Sequence, residues 1–195
     1  MSGDAEAALA ERLRRIAGAS PWFMQALRAA RGRVPPSWCI GAGAVRNLVW
    51  DALHGHAQPS ALSDIDLVFF DATDLSPARD AALQQALRAA APGLPWEVTN
   101  QAGVHLWFES VFGHAVEPLG SLEEAVASWP EYATAVGLRL EADDRLSVIA
   151  PLGLDDLFGM VVRRNPRRVS LDTYRARLAQ KDYAARWPRV RLVPE

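Results

Sequence analysis

The chain has 195 residues, half of them hydrophobic, and a formal net charge of −2 at pH 7. That length supports one substantial core rather than two full domains, and the near-neutral balance excludes a protein that coats nucleic acid through bulk charge. No run of about 18 apolar residues marks a membrane span, and the first twenty residues mix both charge signs without the apolar centre of a signal peptide, so a cytoplasmic location is expected. The single cysteine, Cys39, excludes an internal disulfide and a cysteine zinc cluster, and reads as a small core residue.

Residues 5–16 and 22–31 have helical composition and are split by Ser20-Pro21, a serine suited to capping and a proline suited to the first helical position. They define a helical N-terminal extension over residues 1–34, followed by a domain over 35–195, the two forming one compact unit. Val34-Pro35-Pro36 ends the helix, and residues 37–40 read as a short buried strand running into Gly41-Ala42-Gly43. The next helix carries Val45, Leu48, Val49, Ala52 and Leu53 on one stripe and stops at Gly55. Its glycine-bearing turn offers backbone N–H groups at a helix N-terminus, where an anion is favoured. Arg46 stands in the first turn, where the macrodipole disfavours a cation, which points to an anion nearby. The alternative is an ordinary glycine turn with a surface arginine.

Residues 63–70 read SDIDLVFF. In an extended chain Asp64 and Asp66 share one face while Ile65, Leu67 and Phe69 take the other, and the apolar run behind them is that of a strand covered on both sides. Like charges on one face repel, and desolvating them costs several kcal/mol each unless a cation lies between them. A divalent metal is the simplest such cation; the alternative is a solvated start to the strand. A helix over 76–90 follows, stopped by Pro92-Gly93. It spans about 22 Å at 1.5 Å per residue, enough to bring the next strand candidate, PWEVT, back beside the acidic strand. There Glu97 and Thr99 share a face, and Glu97 is the expected third carboxylate, with Asp71 and Glu109 as lesser rivals and a lone exposed glutamate as the alternative.

The second half reads as a short helix over 122–128, strands over 133–140 and 146–149 around the turn at 141–144, and a helix from 154. Strands and helices interleave, so the class is mixed α and β around one sheet. From Arg163 onward the chain is rich in arginine, either as a solvated helix face or as a patch for phosphates. His54, His56, His105 and His114 lack a zinc-site pattern.

The strings WCIGAGAVRNLVWDALHG and LSDIDLVFFD together resemble the nucleotidyltransferase fold of the polymerase beta-like superfamily, in which a glycine motif precedes a D-x-D strand. They are similar to the GGAVRD…DID signature of CCA-adding enzymes and bacterial poly(A) polymerases. A closer resemblance, to a family of small bacterial nucleotidyltransferase-like proteins, continues through EVTNQAGVH, SWPEYATAVGLRL and APLGLDDLFGMVVRRNP. It implies an α+β fold with a mixed central sheet flanked by helices, behind a helical N-terminal lead-in. It also implies transfer of a nucleoside monophosphate from a nucleoside triphosphate to an acceptor, which is a small molecule, an RNA or a protein. Two magnesium ions, Mg2+, would be held by Asp64 and Asp66, joined by Glu97, and the triphosphate by Gly41, Gly43, Ala44 and Arg46. Neither a membrane nor extended double-stranded nucleic acid is an expected partner. The rival implication is a nucleotide-binding sensor that keeps the fold without turnover. The chain length leaves little room for the helical RNA-binding domains of CCA enzymes, so complete tRNA end maturation is not expected.

Overall fold

The structure, a computed structural model, describes residues 3–193. Two helices open the chain, α1 (Gly3–Gly18) and α2 (Pro21–Ala30). Ser20 caps α2 by accepting from the Phe23 N–H, and Pro21 takes the first helical position. Five strands make the main sheet: β1 (Trp38–Gly41), β2 (Ile65–Phe69), β3 (Trp96–Asn100), β4 (Gly137–Leu140) and β5 (Leu146–Ile149), in the spatial order β3-β2-β1-β4-β5. All neighbours are antiparallel except β2 and β3, which run parallel because α4 (Pro77–Ala90) returns the chain between them.

The acidic strand and the strand after α4 thus lie where the helix length predicts. Between β1 and β2 runs α3 (Ala42–His54), closed by Gly55 in the left-handed region at φ 69°. Its stripe meets the sheet: Val45, Val49 and Trp50 are fully buried with Ile40, Ile65, Leu67 and Phe69. The N-terminal helices share that core through Leu13, Phe23, Ala26 and Leu27, so α1 and α2 are packed onto the domain. A second, smaller cluster on the other side of the sheet gathers Cys39, Val68, Leu122, Val126 and Ala135, under α6 (Leu122–Val126).

Helix α5 (His105–Phe112) has no counterpart in the sequence reading, and the helix expected from residue 154 is α7 (Asp155–Gly159), only five residues long. The arginine-rich stretch folds into α8 (Leu171–Lys181) and α9 (Tyr183–Arg186), followed by β7 (Arg191–Leu192), which pairs in parallel with β6 (Val161–Val162). These segments are more than a solvated face, because Tyr174, Tyr183 and Trp187 are buried in the main core.

Two glycines are fixed by close packing. A Cβ on Gly41 would stand 2.5 Å from the Trp129 ring and 2.8 Å from the Val136 carbonyl, and one on Gly137 would stand 2.4 Å from the Cys39 sulfur. Between Gly41 and Gly43, Ala42 sits at φ 51°, in the left-handed region that an L-residue with a Cβ occupies at a cost.

Candidate active site

Strand register brings the sequence-predicted residues to one end of the sheet. Ile40 of β1 pairs with Leu67 of β2. One step further along this antiparallel pair, the glycine turn that ends β1 stands beside Asp66. On the other side of β2, Asp66 is the register partner of Glu97 in the parallel strand β3. The turn, the second aspartate and the glutamate are therefore successive neighbours across three strands. Asp64 lies just before β2 rather than within it.

The charges of these acids are felt. Burial, then the neighbouring charges of Asp64 and Glu97, push the Asp66 carboxyl from the usual 3.8 up to about 7; Lys181 and Arg177, on α8, pull the other way. The result is a half-buried carboxylate between two like charges, a group that gains from any cation brought to it. Its neighbours are less confined: Glu97 is exposed, and Asp64 accepts a hydrogen bond from the Ser63 hydroxyl at 2.8 Å. Among the described residues, no group of three or more His, Cys, Asp or Glu side chains is gathered closely enough to hold a metal ion. Asp64 and Glu97 are each within electrostatic reach of Asp66, and the three side chains are not drawn together.

The acids stand between two cavities. The first, of about 220 Å³, is lined by Gly43, Arg46, Ser63, Asp64, Lys181 and Arg186 among others. It is small, polar and cationic, and Gly43 opens the helix N-terminus onto it. The second, of about 310 Å³, is lined by Ala42, Asp66, Glu97 and Thr99 on the sheet side. Its far walls are Trp107, Phe108 and Phe112 from α5, and Arg168 and Arg177 from the C-terminal segment. A larger cavity, about 580 Å³, lies away from the carboxylates, between the N-terminal helices and the end of α3.

Arg46 is placed differently from the open phosphate contact read from the sequence. It is 5% exposed, and its guanidinium stacks in a cage of Trp50, Tyr183 and Trp187, 5.0 to 5.6 Å from each ring centroid. It donates to the Asn47 side-chain oxygen at 2.8 Å and to the Tyr183 hydroxyl at 3.2 Å. Its Nη2 nonetheless lies 3.7 Å from where a Cβ on Gly43 would be, so the cation underlies the turn. The reason for the difference is long-range: the cage is closed over Trp50 by Tyr183, 137 positions away along the chain, and by Trp187 beyond it.

The same network continues inward. The Tyr183 hydroxyl bonds to the carboxylate of Glu131, which is fully buried and forms an ion pair with Arg177 at 3.5 Å. Arg46 at the first cavity and Arg177 at the second are thereby linked by one buried chain. Asp51, on α3, organises the approach to Asp64. It accepts from the Ser60 N–H at 2.7 Å, the Ser60 hydroxyl at 2.6 Å and the Trp187 indole at 2.8 Å, and it pairs with His56 at 2.9 Å.

Sequence reasoning missed Lys181, Arg177 and the α5 aromatics. Lys181 and Arg177 lay within the basic stretch already noted, and only the fold separates them from surface arginines. Of the two rivals for the third acid, Asp71 is taken by Thr73 and by Arg79 at 2.6 Å, and Glu109 sits on the exposed part of α5.

A glycine turn opening a helix beside adjacent strand carboxylates, on a five-stranded mixed sheet, defines a nucleotidyltransferase-type protein. Comparison with known proteins agrees, and the chain belongs to the nucleotidyltransferase family whose model matches residues 29–192. It is similar to a solved structure described as an NMR structure revealing a CCA-adding enzyme head domain, with 28% identity and a TM-score of 0.79 over 95% of this chain and 96% of that one. No curated protein matches. The chain is thus a nucleotidyltransferase, with a mixed sheet flanked by helices.

Proposed function

We infer that the protein transfers a nucleoside monophosphate from a nucleoside triphosphate to a hydroxyl-bearing acceptor, with magnesium at the carboxylates. The observation that carries the reading is Asp66: its half-buried carboxylate stands between the charges of Asp64, which lines the cationic cavity beside Gly43, and Glu97, which lines the second cavity with it. Three carboxylates offer the hard oxygen ligands magnesium takes, and family membership makes a nucleotide the substrate. Asp64, Asp66 and Glu97 are assigned to hold the ions, which requires their side chains to swing together when the cation enters. When bound, magnesium supplies neutralisation of the phosphate charge and orientation of the attacking and leaving oxygens.

The chain's own residues do the rest. The N–H groups at Gly43 and Ala44 face the triphosphate from a helix N-terminus, with Gly41 allowing β1 to close onto Trp129 just before the turn. Lys181 and Arg186 compensate charge from the opposite wall. Arg46 acts from beneath the turn, as a buried cation rather than a direct clamp. Glu97, the least buried of the acids, is placed to take the acceptor's proton. Positioning and charge compensation are what phosphoryl-type transfer asks of a protein.

The test is incubation with each α-labelled triphosphate and magnesium, followed by separation of protein, RNA and small-molecule fractions. Label is expected in one acceptor fraction, with release of pyrophosphate, and Asp66→Asn should lower the rate by at least the roughly 10–100-fold that loss of a supporting residue costs a metal site. Tight triphosphate binding with no transfer to any fraction would instead establish the sensor reading.

A further inference from the structure

The cavity on the Glu97 side of the acids differs in kind from the one beside Gly43. Its outer wall is aromatic: Trp107 and Phe112, 43% and 41% exposed, present rings to it from α5, backed by Phe108. Exposed aromatic rings in a row are costly to leave in water and are suited to a flat ligand. The opposite wall carries two arginines with nitrogens left over. Arg168 donates through Nη2 to the Glu117 carbonyl, while its Nη1 is buried with no hydrogen-bond partner among the described residues. The Nε of Arg177 is likewise buried without a hydrogen-bond partner among them, its contact with Glu131 being an ion pair at 3.5 Å. Both side chains line the cavity, and their positive charge, with donor capacity not used up among the described residues, favours an anion there. The inner end is Asp66 and Glu97.

Resting on the nucleotidyl-transfer reading, we propose that this second cavity is the acceptor subsite and that the acceptor is a nucleotide unit. Its base stacks on Trp107 and Phe112, its phosphate lies at Arg168 and Arg177, and its sugar hydroxyl points to Glu97. The three features of the cavity match the three parts of a nucleotide: a flat ring, one anion and a hydroxyl. At about 310 Å³ the space is at the lower end of ligand cavities and suits one such unit, leaving the triphosphate to the Gly43 side. In the reaction the acceptor's hydroxyl oxygen forms a bond to the α-phosphorus. The bond from that phosphorus to the oxygen bridging to the β-phosphate breaks, pyrophosphate leaves with the electron pair, and the hydroxyl proton passes to the Glu97 carboxylate. A free nucleoside monophosphate and the 3′ end of an RNA strand both carry this unit.

Calorimetric titration of the full chain distinguishes them, using AMP, GMP, adenosine, and a short RNA with a 3′ hydroxyl, against wild type, Trp107→Ala and Arg168→Gln. Wild type is expected to bind a monophosphate or the RNA end more tightly than adenosine. Trp107→Ala should weaken that binding by roughly tenfold, as loss of one stacking ring does, and Arg168→Gln should weaken the phosphate-bearing ligands while sparing adenosine. Tighter binding of the RNA identifies a strand end as acceptor; binding confined to monophosphates identifies a small molecule. Wild-type indifference to every ligand, or equal affinities in all three proteins, overturns the proposal. A non-hydrolysable ATP analogue with magnesium, titrated into wild type and Lys181→Ala, tests the underlying reading separately. If the analogue does not bind, or binds equally to both, the triphosphate assignment falls while the monophosphate result still stands. Circular dichroism melts of the variants check that substitution at exposed Trp107 and at half-buried Arg168 leaves the fold intact.

Discussion

Asp66 stores an unfavourable charge in the folded protein, and this has a measurable sign. An acid whose folded-state pKa is raised binds its proton more tightly in the folded chain than in the unfolded one. Between 3.8 and about 7 the folded state therefore carries more protons, and stability falls as pH rises through that window. Asp66→Asn removes the ionisable group. Without divalent metal, the variant should melt above wild type at about pH 8, and the difference should shrink as the pH is lowered toward about 4. A variant that melts lower at both pH values would mean that the carboxylate is structural. Ala42 is a second strained residue at the same site. Glycine relieves a left-handed cost of roughly 1–2 kcal/mol and returns about half of it as unfolded-chain entropy, so Ala42→Gly should stabilise by about 0.5–1 kcal/mol in urea unfolding. At this scale the sequence was legible where chemistry is local. The alternation in DIDLVFF placed Asp66 away from Ile65 and Leu67, as the burial of those two confirms. Arg46 was not legible, because a helix-start arginine looks the same whether it meets a phosphate or an aromatic cage closed by Tyr183 and Trp187.

At the level of elements, α3 is the part on which the site depends most. It begins at the glycine turn, and through Asp51 it holds both the loop that delivers Asp64 and the Trp187 ring that roofs Arg46. Replacing Asp51 with alanine strands the Trp187 indole N–H and the Ser60 N–H. The expected cost is about 3 kcal/mol in chemical denaturation, from donors left unpaired at roughly 1–3 kcal/mol each. Transfer activity should also fall under conditions where the variant remains folded, because Asp64 loses its anchored approach. Unchanged activity in the folded variant would show that the loop is positioned by other contacts. The α3 stripe, the α4 return and the β2–β3 pairing followed from periodicity and length alone. Helix α5 did not, since its apolar residues Leu106, Val111 and Phe112 remain exposed and so supply no core-facing stripe for a sequence pattern to reveal.

Over the whole molecule, the C-terminal segment is part of the core. Tyr174, Tyr183 and Trp187 are 1%, 2% and 0% exposed. Losing three buried aromatics at roughly 3–5 kcal/mol each forfeits about as much as the 5–15 kcal/mol that holds a domain together. A chain truncated after Val169 should therefore show no cooperative melting transition by circular dichroism. A sharp transition close to that of the full chain would show that the segment is an appendage. The basic stretch stays open in the sequence between a solvated face and a phosphate patch because nothing local distinguishes Lys181 and Arg177, whose charges act on Asp66, from Arg175 beside them. The sheet order adds a consequence in time. Central strand β1 pairs with β4 about a hundred residues later, Ile40 against Leu138, and the cage around Arg46 closes only with Trp187. During synthesis, at roughly 5–20 residues per second, the glycine turn and the D-x-D strand emerge early and wait several seconds for their partners. A ribosome-bound chain carrying both motifs has neither walled cavity, because Lys181 and Arg186 of the one and Arg168 and Arg177 of the other belong to the last helices and the segment before them, so the site is assembled only at the end of synthesis.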